Sequence, residues 1–397
     1  MEEIDLKIKM RRKLEEIVEI LYDSSDKFEN PGVLAGISGL ALFMYYYARY
    51  TGESKYDEIG EHALEKAVDM INNGFNTHTY CSGISGLAWT FEHLAMHKFI
   101  ERNSFSPIVD LEPYLLSCME KDFKMNNYDF LHGGLGVGYY FLTKRVPNKK
   151  QNQLTYQWLK DTAISCKDNS IKWKSLLLDT GEPVFNISLS HGMSSIVVVL
   201  TKLMKQYPHI TLVKNMLLKT ITYILQQQLQ NPTISYFPSY SLESNENALF
   251  SRLGWCYGDL GIAQAILQAS KALRNKSIEN VSMKILMDNC FRKDLNENRV
   301  FDAGLCHGAS GISHIFRRLY IQTKIDEFDK ISVYWMEKTI EMAHFIDGLA
   351  GYKSWYGEKD GWTNQYSLLE GIIGVGLCML SQLNPVLINW DECLLLN

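Results

Sequence analysis

The chain has 397 residues, of which 46% are hydrophobic, enough for a large buried core. Its formal net charge of −5 gives no electrostatic basis for nucleic-acid binding. The start Met1-Glu2-Glu3-Ile4-Asp5 lacks the basic-then-apolar order of a secretion signal, and no stretch approaches the roughly 20 apolar residues that span a bilayer.

A cytoplasmic protein with no direct membrane insertion is therefore expected. The densest basic run, Lys7 to Lys13, alternates with apolar residues and reads as the solvated face of a helix. Eight cysteines without an export signal argue against a disulfide framework.

From Gly36 onward a short glycine element recurs, flanked by apolar residues. It reads Gly36-Ile37-Ser38-Gly39, Gly83-Ile84-Ser85-Gly86, Gly133-Gly134-Leu135-Gly136 and Gly192-Met193-Ser194-Ser195. It continues as Gly258-Asp259-Leu260-Gly261, Gly308-Ala309-Ser310-Gly311 and Gly371-Ile372-Ile373-Gly374. Successive starts lie 47 to 66 residues apart by residue number, a period typical of repeat architectures.

Each element runs into a helix-like apolar stretch, and amphipathic stretches such as Asp57 to Ile71, Ile210 to Gln228 and Asp326 to Asp347 lie between. Glycine is costly inside helices, so a common cause is needed, and close packing of neighbouring helix starts supplies one. Two helices per repeat predict an all-α, α/α toroid of about seven helical hairpins and about fourteen helices, with one domain over residues 1–397. The rhythm breaks between Phe141 and Ser190. There Arg145 to Lys150 reads as a loop, and Ile171 to Leu177 and Pro183 to Ser188 look strand-like, which predicts a small β-containing insertion near residues 145–188.

Two repeats differ just before their glycines: Arg252-Leu253-Gly254-Trp255-Cys256-Tyr257-Gly258 and Leu305-Cys306-His307-Gly308. Equivalent positions of adjacent repeats lie side by side in a toroid, so Cys256, Cys306 and His307 are candidates to hold one metal ion. Two thiolates and an imidazole suit zinc, and a fourth, open position would mark a catalytic site. Two buried thiols beside a structural histidine is the competing reading.

Trp255-Cys256-Tyr257-Gly258, Cys306-His307-Gly308, Ser190-His191-Gly192 and Ser367-Leu368-Leu369-Glu370-Gly371 together resemble the motifs of the LanC family of lanthionine synthetase cyclases. The resemblance runs from Gly36 to about Leu380 and is to the stand-alone bacterial members, because only about thirty residues precede the first repeat. It implies zinc on Cys256, Cys306 and His307, an acid/base role for His191, and active-site places for Asp129, Arg252 and Tyr257. One departure is Ser195, which stands where the other elements have their second glycine.

The implied reaction adds a cysteine thiol to dehydroalanine or dehydrobutyrine in a dehydrated precursor peptide, forming (methyl)lanthionine rings. The implied partners are that peptide, a dehydratase and an exporter, with the chain in the cytoplasm or at the edge of a membrane-associated complex. Each role has a plainer competitor: Asp129 as a helix cap, Arg252 as an ion-pair partner, Tyr257 as packing, His191 as a core histidine. His132 and Cys81 also precede glycines, and the resemblance gives them no role, so packing is expected.

Other toroid enzymes fit less well. A prenyltransferase subunit uses a carboxylate in its zinc set, and a glycosidase needs two carboxylates at a set separation. A relative that adds glutathione to dehydrated residues would share the same site. A non-catalytic scaffold for precursor peptide would have no need of an open metal position.

Overall fold

The computed structural model describes residues 2–101, 106–147, 149–176, 183–230, 234–244 and 250–397. Seven buried helices begin at the seven glycine elements: Ile37–Thr51, Ile84–Met96, Gly134–Thr143, Met193–Gln206, Asp259–Leu273, Ala309–Thr323 and Ile372–Leu383. They are apolar on nearly every side, which suits burial from all directions. Seven further helices cover them: Glu2–Tyr22, Lys55–Asn72, Glu112–Lys124, Lys149–Thr162, Thr211–Gln226, Lys276–Asp288 and Asp326–Glu341. Here only one stripe is buried; in the last of them it is Phe328, Ile331, Ser332, Trp335, Met336 and Thr339. Among the described residues these fourteen helices are joined by two single-turn helices, Ser106–Val109 and Gly357–Asp360.

The glycine elements share one local fold. In six of them the N–H just after the first glycine donates to the carbonyl seven residues back. Examples are Ile37 to Asn30 at 3.0 Å, Met193 to Asn186 at 2.8 Å and Ala309 to Asp302 at 3.0 Å. The second glycine is then pressed against its own incoming loop. A Cβ at Gly311 would stand 1.8 Å from the Leu305 carbonyl oxygen, and one at Gly374 would stand 2.0 Å from that of Leu368. This corrects the expected cause of the pattern: the tightest approach is to the repeat's own loop, with neighbouring repeats coming second. Ser195 is buried, and its hydroxyl donates to the Gly192 carbonyl at 2.7 Å.

The chain divides into two compact units, one of residues 1–77, 81–104 and 299–394, the other of residues 78–80, 105–298 and 395–397. In the first, helix Ile372–Leu383 packs between Ala309–Thr323 and Ile37–Thr51, and the latter packs on Ile84–Met96. Helix Glu2–Tyr22 covers Ile372–Leu383, so the first helix completes the last hairpin. In the second unit Met193–Gln206 packs against both Gly134–Thr143 and Asp259–Leu273.

Backbone hydrogen bonds stitch neighbouring turns at the residue two before the first glycine in several repeats. In the first unit Cys306 N–H donates to Leu369 O at 2.8 Å, Leu369 N–H to Leu34 O at 2.9 Å, and Leu34 N–H to Cys81 O at 3.0 Å. In the second, Ser190 N–H donates to Cys256 O at 3.3 Å.

The irregular segment contains two antiparallel pairs of two-residue strands, Ile164–Ser165 with Ile171–Lys172 and Ser175–Leu176 with Pro183–Val184. The strand expected from Pro183 to Ser188 stops at Val184, and Leu177 lies outside the described residues. Helix Lys149–Thr162 occupies much of this segment, where the weakened helical period gave no sign of it. A third short pair, Ser354–Trp355 with Trp362–Thr363, is also new.

Candidate active site and metal centre

At every glycine element the residue two before the first glycine is buried, and the one directly before it is half-buried. The buried set is Leu34, Cys81, Leu131, Ser190, Cys256, Cys306 and Leu369, and the half-buried set is Ala35, Ser82, His132, His191, Tyr257, His307 and Glu370. The fold thus presents the same two positions seven times, with different residue types in them.

In the second unit Asp129 lies in the turn ahead of helix Gly134–Thr143. Its Oδ1 accepts the N–H groups of Leu131 at 2.8 Å and His132 at 2.9 Å, while Oδ2 lies 2.6 Å from His191 Nδ1. One carboxylate therefore caps its own turn and holds the histidine. Burial opposes charge on both groups, and their mutual hydrogen bond and charge outweigh it. The Asp129 carboxyl sits below the usual carboxylate range, and the His191 imidazole above the usual histidine value. With Nδ1 donating to a carboxylate, Nε2 is the nitrogen left to exchange protons.

Ser190 N–H and its hydroxyl both donate to the Cys256 carbonyl at 3.3 Å, so the turn bearing His191 is fixed against the turn bearing Cys256. The Tyr257 hydroxyl accepts from Asn186 Nδ2 at 3.3 Å, and its ring centre lies 5.9 Å from that of His191. Burial pushes this phenol well up, so it stays protonated. Arg252 opens the same loop, is half-buried, and among the described residues forms no ion pair.

His132, expected to pack, is half-buried with its ring centre 5.9 Å from that of His191, and burial pulls its pKa down. It keeps a neutral imidazole beside a charge-favoured one. Position before a glycine was the available signal, shared with His191 and His307.

The Cys256 loop departs from its siblings. Gly258 has φ +99°, against −100° to −134° for the corresponding glycines. A Cβ there would stand 2.3 Å from the Arg252 carbonyl oxygen. Gly258→Ala is expected to cost about 1–3 kcal/mol and to displace Cys256, read as a lower Tm together with weaker zinc retention. A variant with native Tm would show that the loop tolerates the change.

In the first unit Cys306 is buried and the adjacent His307 half-buried. Asp302 pins their loop: Oδ1 accepts Gly304 N–H at 2.9 Å and Oδ2 accepts Trp355 N–H at 2.9 Å. A small crevice beside the pair is lined by Ser354, Trp355, Tyr356 and Glu370, with the Tyr356 hydroxyl donating to the Glu370 carboxylate.

Within the first unit, His93, His97 and Glu392 carry donor atoms suited to one metal ion. Cys256, in the second unit, and Cys306, in the first, are thiols, not disulfides. Thiolate and imidazole donors of this kind fit zinc by ligand softness.

The architecture has a solved counterpart. Nisin cyclase matches with a TM-score of 0.73 and 19% identity over 97% of this chain and 97% of its own. The fold is accordingly an all-α, α/α toroid of helical hairpins. The profile of the family described as Lanthionine synthetase C-like protein matches residues 27–395, and the chain belongs to that family. Among characterised relatives, the nisin biosynthesis protein NisC of Lactococcus lactis subsp. lactis is 22% identical over 371 residues, covering 85% of this chain and 82% of NisC. Among the described residues no helix is long and apolar enough to cross a membrane.

Proposed function

We propose that this protein is a zinc-dependent lanthipeptide cyclase, adding cysteine thiols of a dehydrated precursor peptide to dehydroalanine or dehydrobutyrine within the same peptide. Family membership supports the reaction class. The observation that carries the chemistry is the Asp129–His191 pair, 2.6 Å apart, on a turn hydrogen-bonded to the turn of Cys256.

Cys256, Cys306 and His307 would hold the zinc. When bound, the metal would supply Lewis acidity that lowers the pKa of a substrate thiol, which is otherwise about 8.5 and mostly protonated at neutrality. The chain's own residues account for the rest. The thiol proton passes to solvent water, the sulfur bonds to the β-carbon of the alkene, and the π pair moves onto the adjoining carbonyl as an enolate. His191 Nε2 delivers a proton to the α-carbon, completing the thioether. Asp129 fixes the ring so that Nε2, not Nδ1, faces that task. Arg252, which forms no ion pair among the described residues, stabilises the enolate oxygen, and Tyr257 orients the peptide through its fixed hydroxyl.

The substrate is thus a dehydrated precursor peptide, and a dehydratase and an exporter are the partners proposed for a complex at the cytoplasmic side of a membrane. His191→Ala should keep its zinc and slow ring closure by about 10²–10⁴-fold, the usual range for a general acid/base. Loss of free thiol in a dehydrated peptide, followed by mass spectrometry under alkylation, reads the effect. An unchanged rate removes His191 from the mechanism. Supplying glutathione as competing thiol separates ring closure from intermolecular addition, since an adduct in place of a ring would assign the latter.

A further inference from the structure

The histidine and carboxylate donor set lies wholly inside the first unit and takes no part in the proposed ring closure. His93 is on the buried helix Ile84–Met96, His97 caps that helix one turn on, and Glu392 comes from the C-terminal 3₁₀ segment Pro385–Leu394. We propose that His93, His97 and Glu392 form a second metal site, for a borderline divalent ion of the zinc class.

The geometry suits such an ion. His93 Nδ1 is 3.0 Å and His97 Nε2 3.8 Å from the same Glu392 oxygen, Oε2. All three ligand atoms lie within 4.8 Å of one another. Tetrahedral zinc with bonds of roughly 2.0–2.1 Å sets its ligands about 3.3 Å apart, so each histidine stands within some tenths of an ångström of that spacing from the carboxylate oxygen. Histidines four apart on a helix stand on one face, and the carboxylate approaches that face.

Two further features are hard to explain without a ligand. His97 Nε2 is buried and makes no hydrogen bond among the described residues, the Glu392 oxygen at 3.8 Å being too distant for one. His93 Nε2 is 2.9 Å from the Tyr46 hydroxyl, the outer-shell contact that fixes an imidazole when its other nitrogen coordinates a metal. Two imidazoles and one carboxylate favour zinc, cobalt or nickel over magnesium or calcium, which prefer oxygen alone. His97 and Glu392 are each about one-fifth exposed, at 22% and 19%, so an ion can enter from solvent and a water can complete the shell. Bound there, it would tie the end of the chain to the second buried helix.

The test is metal stoichiometry on the full-length chain, loaded with Zn²⁺ or Co²⁺ and desalted. The native chain should hold two equivalents, and Cys256→Ser/Cys306→Ser should hold one. Cobalt in that double variant should show visible d–d bands without a sulfur-to-cobalt charge-transfer band. His97→Gln and Glu392→Gln in the otherwise native chain should each drop the content from two equivalents to one, keep the charge-transfer band, and keep ring closure. Two equivalents retained in both single variants would overturn the proposal, as would a native chain holding one equivalent that disappears only with the cysteines. If the cysteine variant does not fold, the single variants decide alone. A native single equivalent lost in His97→Gln and retained in the cysteine variant would uphold this site and reject the cysteine set.

Discussion

Cys306→Ala should lose the sulfur-ligated zinc and with it all detectable ring closure. The thiol is buried at 8% exposure in a loop whose backbone is held by Leu369 and Asp302, so the fold should survive the change while the metal set drops to two ligands. The substrate thiol would then revert to a pKa of about 8.5, leaving a few per cent of thiolate at neutrality with nothing to hold it near the alkene. The readout is disappearance of the sulfur-to-cobalt charge-transfer band after Co²⁺ loading, alongside thiol consumption in a dehydrated peptide. Cys81→Ala is the matched control. It sits at the same buried position of another repeat, so it shares any packing cost, and it should keep both band and activity. A band that survives in Cys306→Ala would strike this cysteine from the ligand set.

The largest stability effect is expected at Asp259. This carboxylate is fully buried at the start of helix Asp259–Leu273. It accepts Phe237 N–H and Tyr236 N–H at 2.9 Å each, Asn289 Nδ2 at 3.2 Å and Arg292 Nη1 at 3.1 Å. Asp259→Ala would leave an uncompensated, largely buried guanidinium and two orphaned backbone donors. We expect a loss of about 3–5 kcal/mol, measured as a lower urea midpoint. Removing the exposed Lys276–Glu279 pair should change stability by about 0–1 kcal/mol, a scale for comparison. The site should feel the first change too. Arg292 also donates to Ser251 O at 3.0 Å and to Asn298 Oδ1 at 2.7 Å, and the Asn298 carbonyl accepts Leu253 N–H at 3.1 Å. The loop carrying Arg252, Cys256 and Tyr257 rests on this network. Native stability in Asp259→Ala would mean that the loop is held by its neighbours alone.

Much of the fold was legible in the sequence, and the candidate site positions are local to its repeating turns. Cys256, Cys306, His191 and His307 each stand one or two residues before a glycine, and the glycine pairs recur at a readable period. The buried helices announce themselves by continuous apolar runs, and most covering helices by a stripe. Helix Lys149–Thr162 did not, because Gln151, Asn152 and Thr155 bury polar side chains where a stripe would be apolar. The pair Ser354–Trp355 with Trp362–Thr363 was invisible for another reason: two-residue strands are too short to alternate. His132 shared its sequence context with His191, and only the fold shows that the two rings are neighbours across 59 residues. Arg292 with Asp259, and Glu392 with His93, are likewise partners across distances that no spacing rule reaches.

The first unit is discontinuous: its early helices, through residue 104, wait for residues 299–394 before their packing is complete. Helix Glu2–Tyr22 has its partner in Ile372–Leu383, and Ile37–Thr51, buried from Ile37 through Ala48, packs on that same late helix. On a ribosome the intervening 105–298 stretch takes roughly 10–40 s to make at ordinary elongation rates. For that interval the buried helix Ile37–Thr51 lacks the late helix it packs against. Emergence of residues 299–394, not of each early helix, therefore sets the moment at which this unit can close, and chaperone supply during translation becomes a determinant of how much active protein a cell obtains.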